Sequence, residues 1–162
     1  MKIIIHDLNL EQHELLKNKC NKIIHANGDY ASCQGCFSCW TKSPAKCFIK
    51  DKLADISRVI GKADELIIIT KNCFGTYSPS IKTILDRSIG LSTPLSTYRN
   101  GEMHHCLRYG KHELLNVYVY GNFLKNEKNT FELVVTRNAI NYGFRHSRVL
   151  FIQDTLSLKG II

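Results

Sequence analysis

The chain has 162 residues, 44% of them apolar, enough for one buried core, and a single domain over residues 1–162 is expected. Its formal net charge of +8 admits anionic partners but selects none, and with no basic-and-aromatic module in the chain nucleic-acid binding is not expected. No stretch approaches the ~20 apolar residues of a membrane span, and M-K-I-I-I-H is too short for a secretory leader, so a cytoplasmic protein without a membrane partner is expected.

Along the chain, short apolar runs alternate with segments of helical period, the pattern of an α/β fold. Lys2 to His6 is the first expected strand, and a short helix follows near Leu10 to Lys19. Lys22 to His25 is a weaker edge-strand candidate. Leu53, Ile56, Ile60 and Ala63 recur at helical spacing, and Glu65 to Thr70 (E-L-I-I-I-T) is the next strand. Ile81, Ile84, Leu85 and Ile89 form a second helical stripe, with Lys82 and Asp86 paired four residues apart on its opposite face.

Residues 91–111, with Pro94, Gly101 and Gly110, are expected to be a long loop holding Arg99, Glu102, His104 and His105. A loop of that length serves as an oligomer contact or an active-site cover. Leu115 to Tyr120 is the fourth strand. Phe131, Val134, Val135, Ala139 and Tyr142 make a third helical stripe, ended by Gly143, and Val149 to Gln153 is the last strand.

Five such strands predict a doubly wound parallel five-stranded sheet in the order 2-1-3-4-5, with ligands outside the carboxyl ends of the strands. The segments to inspect therefore begin at Asp7, Lys71 and Gly121.

The densest chemistry lies in residues 33–47, where Cys33, Cys36 and Cys39 form C-Q-G-C-F-S-C, Trp40 follows and Cys47 stands close behind. In a reducing compartment such a run points to metal ligands or catalytic thiols before disulfides. Three thiolates within seven residues can address one iron–sulfur cluster, with Cys47 as the fourth ligand. Zinc is a second option, weakened because no second C-x2-C knuckle is present. A redox-active thiol pair and four unligated thiols also stay open. Lys42, Lys46, Lys50 and Lys52 surround the segment and favour thiolate character.

The cysteine run with Trp40, Pro44, Cys47 and Asp51, followed by A-D-E-L-I-I-I-T-K-N-C-F-G-T-Y-S-P-S-I-K-T-I-L-D-R-S, resembles the NAD(P)H-dependent FMN reductase group of the flavodoxin superfamily, its iron–sulfur flavoprotein branch above all. The likeness spans about Cys33 to Ser88. It implies a flavodoxin-like fold in which the loop after the third strand wraps the isoalloxazine ring. Thr70, Phe74, Gly75, Tyr77, Ser78, Lys82, Asp86 and Arg87 match that loop and the following helix, and Asn72, Cys73, Phe74, Gly75, Thr76 and Tyr77 are the implied cofactor neighbours. Lys71 stands where the family has Pro, and Cys73 where it has Tyr. A plainer reading of the same residues is a helix entry, with Ser78 as N-cap and Pro79 at the first helical position.

Flavodoxin-like proteins hold the FMN phosphate in a Ser/Thr/Gly-rich turn after the first strand. Here that turn is His6-Asp7-Leu8-Asn9-Leu10-Glu11. A carboxylate ~5 Å from a phosphate charge costs on the order of 3 kcal/mol at an effective dielectric of ~20. A helix N-terminus returns only ~0.3 to 1 kcal/mol. The phosphate would then need another partner, for which Lys71 and Arg99 are the candidates.

The resemblance implies an oxidoreductase or electron-transfer flavoprotein using FMN, with a 4Fe–4S cluster on Cys33, Cys36, Cys39 and Cys47. NAD(P)H is the implied electron donor, with a small-molecule or protein redox partner and a homodimer or homotetramer as the assembly. No catalytic side chain is named. The alternative is a non-enzymatic relative with a degenerate phosphate site, acting as a metal-binding or protein-interaction module.

Overall fold

The structure is a computed structural model and describes residues 1–17, 19–110, 112–153 and 155. Its strands are β1 (Lys2–His6), β2 (Lys22–His25), β3 (Glu65–Lys71), β4 (Ser92–Arg99), β5 (Glu102–Leu107), β6 (His112–Tyr120) and β7 (Phe144–Ile152). Its helices are α1 (Leu10–Leu16), α2 (Ile56–Ile60), α3 (Pro79–Arg87) and α4 (Lys125–Tyr142), with a 3₁₀ turn at Ile89–Leu91.

The expected five-stranded parallel sheet forms, in the order β2-β1-β3-β6-β7. The fourth and fifth expected strands are β6 and β7 in the chain, because the expected loop at 91–111 folds instead into the antiparallel hairpin β4–β5, outside the sheet. Its turn is Asn100-Gly101, with φ of 53° and 81°, the two left-handed residues that a type I′ hairpin requires.

Isoleucine-rich β1 and β3 lie at the centre, and their alternate residues serve two cores. Ile3, Ile5, Leu66, Ile68, Leu115, Val117 and Val119 pack on one face against α2, α3 and α4. On the other face Ile4, Ile67, Ile69, Tyr118 and Ile152 pack with Leu8 and with Leu16 of α1. The apolar stripe of α4 lies against β7 and ends at Gly143, whose φ of 83° lets its N–H cap the Ala139 and Ile140 carbonyls.

This topology brings the segments after β1, β3 and β6 to one edge, the carboxyl edge of the sheet. Among the described residues no helix is long and apolar enough to cross a membrane.

Candidate functional site

After β3 the chain makes a two-residue turn in which Cys73 and Thr76 exchange both backbone hydrogen bonds, at 3.0 and 3.1 Å. Between them stand Phe74 at φ 53° and Gly75 at φ 81°, so this is a second I′-type turn, with phenylalanine where Asn100 stands in the first. Gly75 takes the conformation freely, and a Cβ there would lie 3.1 Å from the Glu127 carbonyl oxygen. Phe74 is held against the preference of an aromatic residue. Its side chain gains nothing from burial, being 89% exposed.

Asn72 locks the turn in place. Its Oδ1 accepts the Gly75 N–H at 3.1 Å, while its amide donates to the Asn122 carbonyl at 2.9 Å and to the Glu127 carboxylate at 3.1 Å. Glu127 also accepts the Leu124 N–H at 2.9 Å, which satisfies one of the free donors opening α4. The β3 loop and the β6 loop are thus joined through one amide and one carboxylate.

Between them lies a cavity of about 520 Å³, lined by Lys71, Asn72, Cys73, Phe74, Ser78, Pro79, Asn122, Phe123, Leu124 and Glu127. Phe74 and Leu124, the latter 71% exposed, present apolar surface at its mouth. Of the residues expected to contact a cofactor, Asn72, Cys73 and Phe74 line this cavity, and Thr76 closes the turn. Gly75 and Tyr77 do not line it. Gly75 packs on α4, and Tyr77 is a core residue with its ring edge to Phe131 and its hydroxyl accepting from the Asn138 amide at 3.3 Å. Burial pushes the Tyr77 hydroxyl pKa well up. Phe123, Leu124 and Glu127 were not expected from the sequence; Gly121, flagged as the start of a segment at the sheet edge, was the only pointer to them.

Asp7 stands at the end of β1 beside this cavity. Its carboxylate accepts the Lys71 N–H at 3.0 Å and the Tyr120 hydroxyl at 3.1 Å. The Tyr120 hydroxyl is pushed far up by burial first and by the Asp7 charge second. Beyond Asp7 lies a second crevice of about 490 Å³, lined by Asp7, Leu8, Asn9, Gln12, Tyr120, Gly121, Gln153 and Thr155. The α1 helix that follows has seven residues, and Asn9 spends its side chain on the Gln12 N–H at 2.9 Å. Arg99, considered as a phosphate partner, lies on the hairpin and donates to the Ile140 carbonyl in the last turn of α4, at the opposite end of that helix from the cavity. Lys71 lines the cavity.

The cysteine segment behaves otherwise than its spacing suggests. Left-handed Gly35, Phe37 and Ala45 bend it so that Cys33 and Cys36 face solvent while Cys39 turns into the core. Among the described residues no three of His, Cys, Asp or Glu are arranged to hold a metal ion. The expected ligand set Cys33, Cys36, Cys39 and Cys47 is therefore not gathered as a 4Fe–4S or zinc cage in this structure, although the four thiols are near enough to influence one another. Burial first, then the Cys47, Cys33 and Cys36 thiols, raise the Cys39 pKa.

Arg87, expected to belong to the flavin loop, anchors this segment instead. Its side chain is fully buried and pairs with Asp51 through two bonds of 2.7 and 2.9 Å, while also donating to the Ala31 carbonyl at 2.7 Å. Asp86 pairs with Lys82 on the surface, as the spacing predicts. Trp40 closes the other side by donating to the Ile89 carbonyl at 2.9 Å and packing on His105. A further cavity of about 760 Å³ lies under the hairpin at the other ends of α3 and α4, with Cys33, His104 and Asn141 in its walls.

Under β1, β2 and α1 three imidazoles stack. His6 and His25 ring centroids are 4.9 Å apart, and His6 Nε2 lies 2.8 Å from His13 Nδ1. Since His6 Nδ1 accepts the Leu8 N–H at 3.2 Å, its proton sits on Nε2 and is donated to His13. Burial, then the neighbouring His25 and His13, hold the His6 pKa down to about 3.

No protein-family model matches the sequence, and no curated protein is significantly similar to it. Solved structures are similar in fold. A protein of Streptococcus mutans UA159 superposes with a TM-score of 0.61 at 10% identity, covering 99% of this chain and 94% of its own. The apo form of an NADH:FMN oxidoreductase gives 0.55 at 16% identity, covering 97% and 78%. An FMN-dependent NADH-azoreductase from Bacillus anthracis str. Ames Ancestor, solved in complex with FMN, gives 0.54 at 13% identity, covering 98% and 92%. At these identities the likeness is one of fold.

Proposed function

We propose that the chain is a flavin-binding oxidoreductase that takes the isoalloxazine ring in the cavity between the β3 and β6 loops, with a reduced nicotinamide as electron donor. The observation that carries this reading is Phe74. A solvent-exposed aromatic ring kept in a left-handed turn by Asn72, at the mouth of a cavity on the carboxyl edge of a parallel sheet, has no structural return for its strain. A flat ligand supplies one by stacking. The fold is shared with an NADH:FMN oxidoreductase and an FMN-dependent NADH-azoreductase, which supports the same cofactor class.

The ring end of FMN fits the residues present. Phe74, Phe123 and Leu124 offer apolar contact, and Asn72 and Glu127 fix the distance between the two loops. The phosphate end meets Asp7 in the turn where the resemblance puts the phosphate, without the usual cradle. When bound, a flavin supplies the redox chemistry, and the chain's share is to hold the ring, orient it and exclude water from one of its faces. No proton transfer by a side chain is assigned. The homodimer or homotetramer stays part of the proposal, supported by exposed Leu95, Tyr98 and Met103 on the hairpin, and light scattering tests it.

Titration of the purified protein with lumiflavin, followed by fluorescence quenching, tests the ring site directly. Saturable binding and flavin-dependent oxidation of NADH or NADPH are expected. Absence of any binding up to about 100 µM, well within the range where enzymes take their ligands, would overturn the proposal.

A further inference from the structure

Resting on that reading of the ring cavity, we infer that the site selects a flavin whose tail carries no phosphate, an isoalloxazine bearing a neutral hydroxylated chain, and discriminates against FMN.

The tail of a ring seated between the β3 and β6 loops meets the crevice on the far side of Asp7. That crevice offers the side chains of Asn9, Gln12, Gln153 and Thr155, all neutral hydrogen-bonding groups, and among its described residues no Lys, Arg or His. Gln12 and Thr155 touch through their side chains. Amides and hydroxyls of this kind match a polyol, since each can donate to or accept from a ribityl hydroxyl. They do not offset a dianion.

Among the described residues that line the crevice the one charged group, Asp7, has the wrong sign for phosphate, and Lys71 lines the neighbouring ring cavity instead. Asp7 is held in place by the Lys71 N–H and the Tyr120 hydroxyl, so it cannot swing aside without breaking the junction between β1, β3 and β6. Those two donors are also spent on Asp7 and unavailable to an anion. A second source of phosphate affinity is missing because α1 is a single short helix of seven residues whose Gln12 N–H is taken by Asn9. Electrostatic repulsion and lost donors therefore act together against FMN, while the ring contacts at Phe74 are the same for every flavin.

Three ligands separate the claims. Lumiflavin reports the ring alone, riboflavin adds the neutral tail and FMN adds the phosphate. Measured by fluorescence quenching at low ionic strength, riboflavin is expected to bind at least about tenfold tighter than FMN, a gap of about 1.4 kcal/mol. The gap narrows as salt screens the repulsion. In Asp7→Asn, which keeps an oxygen to accept the Lys71 N–H, FMN and riboflavin are expected to bind within about threefold of each other. FMN binding to the wild-type protein as tightly as riboflavin overturns this inference while leaving the ring site standing. Failure of all three ligands, lumiflavin included, overturns the ring site itself. Because the wild-type comparison decides the matter alone, a poorly folding Asp7→Asn does not rescue it.

Discussion

Replacing Phe74 with asparagine separates the strain of the β3 turn from its use. A bulky L-residue in the left-handed region costs about 1–2 kcal/mol, and asparagine escapes most of this. Phe74 is 89% exposed, so its removal sacrifices almost no buried apolar surface. Phe74→Asn is therefore expected to stabilise the flavin-free protein by about 1 kcal/mol, which for a chain of this size raises the melting temperature by about 2–4 °C. Loss of ring stacking is worth about 1–3 kcal/mol per aromatic contact, so flavin affinity is expected to fall between about fivefold and about 150-fold. Thermal melts by circular dichroism without ligand, and fluorescence titration with lumiflavin, read the two effects independently. A melting temperature that drops refutes the assignment of strain, and an unchanged lumiflavin affinity refutes Phe74 as a ring contact.

Other expectations concern the anchors of the fold. Asp51→Ala leaves the buried Arg87 guanidinium unpaired and is expected to cost about 3–5 kcal/mol, with proteolytic cleavage in residues 26–50 rising faster than elsewhere. In the wild type the Arg87 hydrogen bonds hold the Asp51 carboxyl down to about 2. That contribution, on the order of 2 kcal/mol, is complete above the ordinary carboxylate range and is lost as pH falls through about 2; Asp51→Asn removes this acid step from urea midpoints measured against pH. His6 has the opposite origin but the same direction. Its native pKa near 3 lies below that of the unfolded chain, so the unfolded state takes up the proton first and stability falls on acidification below about pH 6.5, by about 1.4 kcal/mol per pH unit. A His6→Gln variant with the same slope between pH 4.5 and 6.5 would remove His6 as the cause. Iodoacetamide is expected to label Cys36 and Cys33 well before Cys39, with Cys36 fastest because hydrogen bonds from Ser38 lower its thiol pKa. Equal protection of all four thiols until metal is stripped would refute the reading that they form no metal cage.

The strands were legible wherever burial on both faces left only apolar residues, as in I-I-I of β1 and L-I-I-I of β3. The edge strand β7 was legible only from Val149 because Arg145, His146 and Arg148 point to solvent and mask its first half. Helix α2 proved shorter than its apolar stripe, since Asp51 Oδ1 accepts the Leu53 N–H and turns the chain before Ile56. The hairpin at 92–107 carried its own announcement in Asn100-Gly101, but Pro94 and two adjacent histidines read as irregular chain. Of the residues implied by local resemblance, Asn72, Cys73 and Phe74 lie in the cavity wall while Gly75 packs on α4 and Tyr77 in the core, because a motif carries no information about which side of the backbone faces the core. Glu127, 55 residues distant from Asn72, and Leu124 come from another segment of the chain, and nothing local marks them. The four cysteines show a related limit: spacing states how far apart thiols can be, and the left-handed residues between them decide where they point.

The anchorage of residues 26–50 by Arg87 has an engineering consequence. The guanidinium grips one carboxylate and the main-chain oxygens of Ala31 and Ile49, and main-chain oxygens are common to every sequence. The segment is thus seated as a cartridge in a socket supplied by the last turn of α3, and its outward positions can be rewritten without touching the latch. A loop library built between Ala31 and Asp51, with Arg87 and Asp51 kept, would be a direct route to grafting new chemistry onto this scaffold.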